Sequence, residues 1–309
     1  MLVPGPRAGT SLPSASQSPP RKRTLVGIAL TLPALMAVGL TTLFPMLHTV
    51  WLSLNGPSAA LRGSPDFRGL ANYWRILRSP DFQRALWQTL GLVSTSLMLE
   101  IIIGMAVALA LHRRLKGTRI FRAVVAMPLM VAPVVGALAW RFVFVDGYGM
   151  IDSLLNAVGI AGPLWFADVW LARATILIST LWMSLPFDVL VLLAGLASLP
   201  IDPLEAARVD GASPGQTLVH IVLPLLRPVF AVIFVVRLAD AFRTFDVVYV
   251  LTANGPANST DVLSTYIYRQ MFTAFDFPGG AAAALLLVFI TALFSLIAVA
   301  VLRDRRVER

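Results

Sequence analysis

Charged side chains stand inside long apolar stretches of this sequence, where they could act on a polar ligand. Four of them recur every three residues: Arg237, Asp240, Arg243 and Asp246. Steps of three place side chains close together along one stripe of a helix. Ionisable groups are costly in apolar surroundings, so the four are candidates for a ligand pathway. Alternating Arg and Asp can also neutralise each other and fasten a helix to its neighbours, and both interpretations stay open.

Residues typical of catalytic centres are sparse. Single ionisable residues occur in three other apolar runs: Glu100, Arg141 and Asp188. The three histidines are scattered through the chain: His48, His112 and His220. The absence of cysteine excludes disulfides, thiolate metal sites and cysteine nucleophiles. The chain also lacks the G-x-x-x-x-G-K-[ST] pattern of nucleotide hydrolysis. An enzyme with its catalytic residues inside these apolar runs is therefore a weak alternative to a ligand pathway.

The elements that position these residues are apolar helices. Hydrophobic residues make up 57% of the 309 residues and charged ones 13%, whereas a soluble domain has about 25% charged residues. Runs of about 20 apolar residues are long enough to cross a bilayer. We predict an all-α membrane protein with six transmembrane helices, over residues 25–52, 86–111, 122–145, 172–198, 225–250 and 281–302.

Positive charges predict the orientation of these helices. The net charge is +9, and most Lys and Arg lie beside apolar runs, so we expect no nucleic acid partner. The segments on one side of the six runs carry about twice the positive charge of the other side, which predicts cytoplasmic N and C termini. Residues 1–24, rich in Pro and Ser, are predicted to be a disordered cytoplasmic tail, and residues 303–309 a basic cytoplasmic tail.

In the polar loop 199–224, individual residues indicate where short helices begin and end. Asp202, Pro203 and Glu205 suit the N-cap, N1 and N3 positions of one short helix. Gly211 can end that helix, because glycine adopts the left-handed conformation at little cost. Ser213 then starts a second capping box. A rigid helix–turn–helix suggests a docking element, although the loop could equally pack on its own membrane domain.

The same loop resembles the EAA signature of ABC importer permeases. The pattern is Glu-Ala-Ala, three residues, Gly, nine residues, Ile, one residue, Leu-Pro, and the chain matches every element. Further likeness to the carbohydrate branch of that family, the MalF/UgpA-like permeases, lies in Phe-Arg-Thr-Phe-Asp at 242–246 and Tyr-Val-Leu-Thr at 249–252. The resemblance covers roughly residues 25–302 and implies the MetI/MalF-like permease fold, in the cytoplasmic membrane of a bacterium or archaeon.

The resemblance implies a transporter subunit rather than an enzyme. Two separate ABC ATPase subunits would bind ATP and Mg²⁺, and this chain would bind no cofactor. A second homologous permease and an extracytoplasmic solute-binding protein would complete the importer, and the substrate would be a sugar or sugar-like solute such as a disaccharide, polyol or glycerophosphate derivative. The implied ATPase-coupling residues are Glu205, Ala206, Ala207, Asp210, Gly211, Ala212, Ile221, Leu223 and Pro224.

Sugar recognition needs polar groups over aromatic faces. The candidates for a substrate pathway are Trp140, Trp182, Ser184, Phe187, Asp188, Asp240 and Arg243. The main alternative is a secondary transporter of a small polar solute. Such a protein would show an internal repeat and would need no docking loop. We find no convincing repeat, and the EAA-like loop argues against this alternative.

Overall fold

The computed structural model describes residues 21–58, 66–112 and 117–302, and these residues form helices and no named strand. In chain order the helices are α1 Arg21–Val38, α2 Phe44–Ser53, α3 Ala71–Arg78, α4 Pro80–His112, α5 Thr118–Ala126, α6 Pro133–Val143, α7 Met150–Ala157, α8 Val169–Ala197, α9 Ile201–Val209, α10 Pro214–Leu225, α11 Arg227–Phe242, α12 Asp246–Thr252, α13 Leu263–Tyr268 and α14 Phe277–Leu302. Shorter π and 3₁₀ turns join several of them. The helix α10 is itself π-helical over Leu218–Val222.

Four single helices in the described part of the chain are long and apolar enough to cross a membrane: Leu30–Ser53, Pro80–His112, Val169–Ala197 and Phe277–Leu302. They coincide with the first, second, fourth and sixth predicted runs. The helix Pro80–His112 begins six residues earlier than predicted. The chain forms two compact units, one ending at Thr49 and one beginning at Val50. In the first unit, none of the described side chains of the apolar run is buried.

The third predicted span, 122–145, is not one helix. The segment Ile120–Met130 and α6 meet at an angle of 102°. Pro133 occupies the first turn of α6, and Ala132 before it is extended, with ψ 138°. A proline disfavours helical backbone at the preceding residue, so a break at this position follows from local sterics.

The fifth predicted span, 225–250, is also interrupted. The helix α10 meets α11 at 66°, and α11 ends at Phe242, after which α12 begins at Asp246. The predicted continuous stripe of four charges is therefore wrong, because Asp246 lies on a different helix from Arg237. The hydroxyl of Ser264 donates to the Thr244 carbonyl at the break. This tertiary contact satisfies a carbonyl that a continuous helix would have bonded internally.

The second unit is held together by close helix packing. The helix α4 packs along α8, and α11 packs along α14. Gly195 of α8 faces α11 so closely that a Cβ there would lie 2.8 Å from Val229 Cγ2. The position accordingly favours glycine, because the side chains of Val229 and Leu226 pack directly on the α8 backbone there. Buried Leu192, Leu226 and Ile233 complete this contact.

The short helix α3 is fastened by polar side chains on both sides. Asn72 is buried and donates to the carbonyls of Ser53 and Asn55 at 2.9 and 2.8 Å. Arg75 pairs with Asp276, at the start of α14, at 2.7 Å. Hydrogen bonding to Asp276 raises the pKa of Arg75. The segment between the first and second spans is therefore ordered at this point and tied to the last helix.

The tails predicted from the sequence fall largely outside the described residues, namely residues 1–20 and 303–309. Four residues of the predicted disordered segment 1–24 do lie in the described part. These four, Arg21 to Thr24, are the first residues of α1. The helix therefore extends beyond the apolar run that predicted it.

A buried carboxylate organises the segment between α6 and α8. Asp152 of α7 is 1% exposed and accepts hydrogen bonds from the Trp165 indole at 2.7 Å and from the Gly147 amide. A Cβ at Gly162 would lie 2.3 Å from Asp152 Oδ1, so the chain closes tightly around this side chain.

We expect Asp152→Ala to loosen this segment, because it leaves the half-buried Trp165 indole N–H and the Gly147 amide without this acceptor, at a cost of about 2 kcal/mol. Hydrogen–deuterium exchange of amides in 145–168 should speed up by about tenfold or more. Asn156→Ala, on the exposed side of α7, is the matched control. Equal exchange in both variants would show that Asp152 does not hold the segment.

Candidate functional site

The EAA-like loop forms the predicted helix–turn–helix, but the predicted N-cap of its first helix is wrong. The helix α9 begins at Ile201 with Pro200 as N-cap, and no side chain caps it. The prediction that Asp202 is the N-cap, with the helix starting at Pro203, is therefore wrong. Pro200 takes the extended conformation itself, which moves the start two residues earlier. Asp202 lies instead in the first turn, where a negative charge complements the helix dipole.

The turn and the second cap agree with the prediction. Gly211 has φ +74°, the left-handed conformation that favours glycine. Its amide donates to the Arg208 carbonyl at 3.2 Å, and the Ala212 amide donates to the Ala207 carbonyl at 2.9 Å, the two bonds of a Schellman motif. Ser213 and Gln216 form the reciprocal capping box at 3.3 and 2.8 Å.

The signature residues of the loop divide between an exposed face and an inner face. The exposed ones are Glu205, Ala206, Asp210 and Gly211, whereas Ala207 is buried; half-buried are Ala212, Ile221, Leu223 and Pro224. Two apolar side chains of α9 are also exposed, Ile201 at 65% and Val209 at 87%. A small, partly apolar surface on a helix whose C-terminal end is fixed by a Schellman motif is suited to contact with another protein.

A buried ion cluster joins three long helices of the second unit. Arg237 of α11 donates from Nε to Asp188 Oδ1 of α8 at 2.8 Å, and Nη2 donates to the Ser184 carbonyl. Glu100 of α4 lies 4.0 Å from the same guanidinium. Asp188 and Glu100 are 0% and 3% exposed. The guanidinium also lies 4.7 Å from the centre of the Phe187 ring.

The next two charges on α11 are accessible. Asp240 lies 3.7 Å from Arg237 and 3.0 Å from Arg243, with half of its side chain exposed. The Arg243 side chain is 71% exposed and lies at the end of the helix. The exposure of the charged side chains therefore increases from fully buried Asp188 to largely exposed Arg243.

Four of the predicted pathway residues thus surround Arg237, namely Ser184, Phe187, Asp188 and Asp240. The two tryptophans form a separate pair. Trp140 and Trp182 meet edge to face at 6.0 Å, and Trp182 is 39% exposed. The sequence marked Arg237 and Glu100 as costly charges but did not place them with Asp188, because that requires the packing of three helices.

An aromatic ladder was missed in the sequence analysis. Phe245 and Tyr249 stack at 5.1 Å, and each ring lies 5.2 Å from Tyr268. Tyr268 in turn lies 5.1 Å from Phe272. The i,i+4 spacing within each pair is visible in the sequence, whereas the meeting of the two pairs depends on the fold. Tyr249 and Phe272 are exposed, so the ladder offers aromatic faces close in sequence to Arg243.

Residues 100–309 match the family described as binding-protein-dependent transport system inner membrane component. The chain belongs to this family. It is a permease, a non-enzymatic multi-pass membrane component of a binding-protein-dependent ABC importer, and the resemblance seen in the EAA-like loop is confirmed.

Named relatives of this permease extend over nearly the whole chain. It is 34% identical over 281 residues to a trehalose/maltose transport system permease of Thermococcus litoralis, covering 91% of this chain and 95% of the relative. It is also 34% identical to the trehalose transport system permease of Mycobacterium tuberculosis, covering 91% and 89%. A sulfoquinovosyl glycerol transport system permease of Agrobacterium fabrum is 28% identical, covering 85% of each chain.

The fold of the permease is that of a solved importer chain. One chain of a bacterial alginate ABC transporter, crystallised with an alginate pentasaccharide-bound periplasmic protein, superposes with a TM-score of 0.78. It covers 93% of this chain and 96% of that chain at 23% identity. This likeness supports the predicted all-α permease fold.

We expect the buried and the exposed arginine of α11 to differ sharply on substitution. Arg237→Met leaves Asp188 and Glu100 without a counter-charge, which should destabilise the protein by about 3–5 kcal/mol. Arg243→Met removes an exposed pair and should cost about 1 kcal/mol or less. The measurement is the amount of folded protein after extraction, by fluorescence-detected gel filtration. Equal recovery of both variants would contradict a structural role for Arg237.

Proposed function

We propose that this permease is one of two non-identical permease subunits of an ATP-driven importer for a sugar or sugar-like solute. The observation that carries the proposal is the 34% identity, over 91% of the chain, to trehalose and trehalose/maltose permeases. Six spans with both termini in the cytoplasm, counting each bent pair as one span, would place the loop 199–224 on the cytoplasmic side. Disaccharides, polyols and glycerophosphate derivatives are the substrate classes to test.

In this proposal the loop 199–224 docks into an ABC ATPase subunit, which binds ATP and Mg²⁺. Support comes from the exposed Ala206, Val209 and Gly211 on a helix whose end is fixed by a Schellman motif. The second helix of this loop, α10, runs to the 66° junction with α11. Displacement of the loop would therefore move the helix that carries Arg237 and Asp240.

The substrate pathway in the proposal runs along the accessible side of the ion cluster. Sugar hydroxyls both donate and accept hydrogen bonds, so Asp240 and Arg243 would supply an acceptor and donors. Trp182 and the ladder at Tyr249 would supply aromatic faces. Alternating access follows: ATP binding closes the ATPases and opens the pathway outward to the solute-binding protein, and hydrolysis returns it inward.

The proposal is tested by purifying the tagged chain from its native cells in mild detergent and identifying the co-purifying proteins by mass spectrometry. We expect a P-loop ATPase and a second permease of this family. A chain that is recovered alone, under conditions in which other membrane complexes remain intact, would contradict the proposal and favour a secondary transporter.

The coupling role predicts a specific failure for Gly211→Asp. A Cβ at Gly211 meets no atom within 4 Å, so the change adds a charge and backbone strain of about 1 kcal/mol without an internal clash. We expect ATPase co-purification and solute uptake to fall at least about tenfold while membrane insertion persists. Gly215→Asp adds the same charge within α10, also into open space, and should be milder. Normal uptake by Gly211→Asp would argue against docking at this turn.

The substrate role predicts that Asp240→Asn raises the substrate concentration for half-maximal uptake. Loss of a hydrogen bond to a charged group costs about 1.5–3 kcal/mol, or about tenfold and more. The matched control is Asp81→Asn, because Asp81 forms a comparable exposed i,i+3 pair with Arg84. Concentration-dependent uptake of radiolabelled trehalose and maltose is the measurement. An equal substrate concentration for half-maximal uptake in the two variants would show that Asp240 takes no part in the substrate pathway.

A further inference from the structure

A cavity of about 670 Å³ lies apart from the charged cluster, between the first turns of α4 and α8 and the segment before α13. Its mouth and its floor differ in chemistry. The mouth carries arginine, tryptophan and glutamine side chains, and the floor is apolar or small. Residues of the mouth are Arg84, Trp87, Gln88, Trp170 and Arg173, and residues of the floor include Leu92, Ile176, Leu177 and Val262, with Gly91 exposed at the edge.

The mouth is positively charged. Arg84 has one carboxylate nearby, Asp81 at 3.4 Å, and both side chains are more than half exposed. Within the described residues, Arg173 has no carboxylate within 4 Å. Its guanidinium donates twice to the Ser259 carbonyl, at 3.2 and 3.1 Å, and lies 5.1 Å from the Trp170 ring. Two guanidinium groups with one weakly held counter-charge favour an anionic ligand.

The depth of the cavity matches one leaflet of a bilayer. Arg84 precedes Glu100 by sixteen residues and Arg173 precedes Asp188 by fifteen, so both lie about 22–24 Å along their helices from the buried ion cluster. Half of the hydrocarbon thickness is about 15 Å. Leu92 lies about 12 Å from Glu100. The arginines thus lie at headgroup level when the cluster is central, and the floor lies among acyl chains.

The two tryptophans at the mouth agree with this depth. Trp87 is 71% exposed and Trp170 is 73% exposed. Tryptophan is enriched at the membrane–water interface, where its ring is apolar and its N–H can bond to water or headgroups. A water-soluble anion would satisfy the arginines but would leave the apolar floor of Leu92 and Leu177 uncovered.

We infer that this cavity binds an anionic phospholipid. The phosphodiester would lie between Arg84 and Arg173, and one acyl chain would lie over Gly91 and Leu92 on α4 and Leu177 on α8. The inference concerns a lipid site and does not depend on which solute the permease carries.

Gly91 allows the cavity to be filled without disturbing the helix. A Cβ at Gly91 meets no atom within 4 Å, so Gly91→Leu places its side chain into the cavity. Ser94→Leu, an exposed position on the same helix that does not line the cavity, is its control. Arg84→Gln removes the charge at the mouth. Its control is Arg78→Gln, because Arg78 lies over Trp74 and does not line the cavity.

The full chain, with the subunits that co-purify, is placed in nanodiscs of phosphatidylcholine with one-fifth phosphatidylglycerol. Native mass spectrometry then counts the lipids retained after delipidation. We expect retained phosphatidylglycerol in the parent and both controls, and about tenfold less in Gly91→Leu and Arg84→Gln. Gly91→Leu should lose the lipid even though it keeps both arginines.

Two results would overturn the inference. One is equal retention of phosphatidylglycerol by all five proteins, or no preference for it over phosphatidylcholine. The other is a Gly91→Cys variant that cross-links to a co-purifying subunit, which would show that a protein helix fills the cavity. Thermal unfolding of each variant accompanies the lipid count, and a variant that unfolds at the parent's temperature reports on lipid binding.

Discussion

A single guanidinium, that of Arg237, sets the relative positions of three membrane helices. In a low-dielectric interior a charged group must be paired and fully hydrogen-bonded, and the groups that satisfy Arg237 come from different elements: Asp188 and Ser184 from α8, and Glu100 from α4. The angular positions of α4, α8 and α11 about their axes are therefore restricted together. Close packing at Gly195 then fixes the spacing of α8 and α11.

The interruption of the fifth span depends on tertiary contacts, as the ion cluster does. Irregular backbone at membrane depth is tolerated only where protein or water covers its polar groups. Here tertiary contacts do so: Arg141 donates to the Val250 carbonyl at 2.7 Å, and Ser264 donates to the Thr244 carbonyl. The break after Phe242 thus directs the chain into α12, where Tyr249, with Phe245 just before the helix, meets Tyr268 in the aromatic ladder.

A mechanical path connects the two regions to which we assign function. The loop 199–224 is made rigid by a Schellman motif and a capping box, and α10 leads without a gap to the junction with α11. The first turn of α11 lies against Gly195, and Arg237 lies further along the same helix. In the importer that we propose, a displacement at the loop would act on the ion cluster through one helix.

Much of this protein can be predicted from short-range patterns. The apolar runs, the left-handed Gly211 and the Ser213 cap depend on neighbours within a few residues, and the Glu-Ala-Ala pattern identifies the family. The first cap failed because Pro200 competes with Asp202 for the same boundary. Only the tertiary structure decided the break after Phe242, the pairing of Arg237 with Asp188 and Glu100, the aromatic ladder and the cavity. These depend on which residues of distant helices come into contact, and packing over the whole unit determines that.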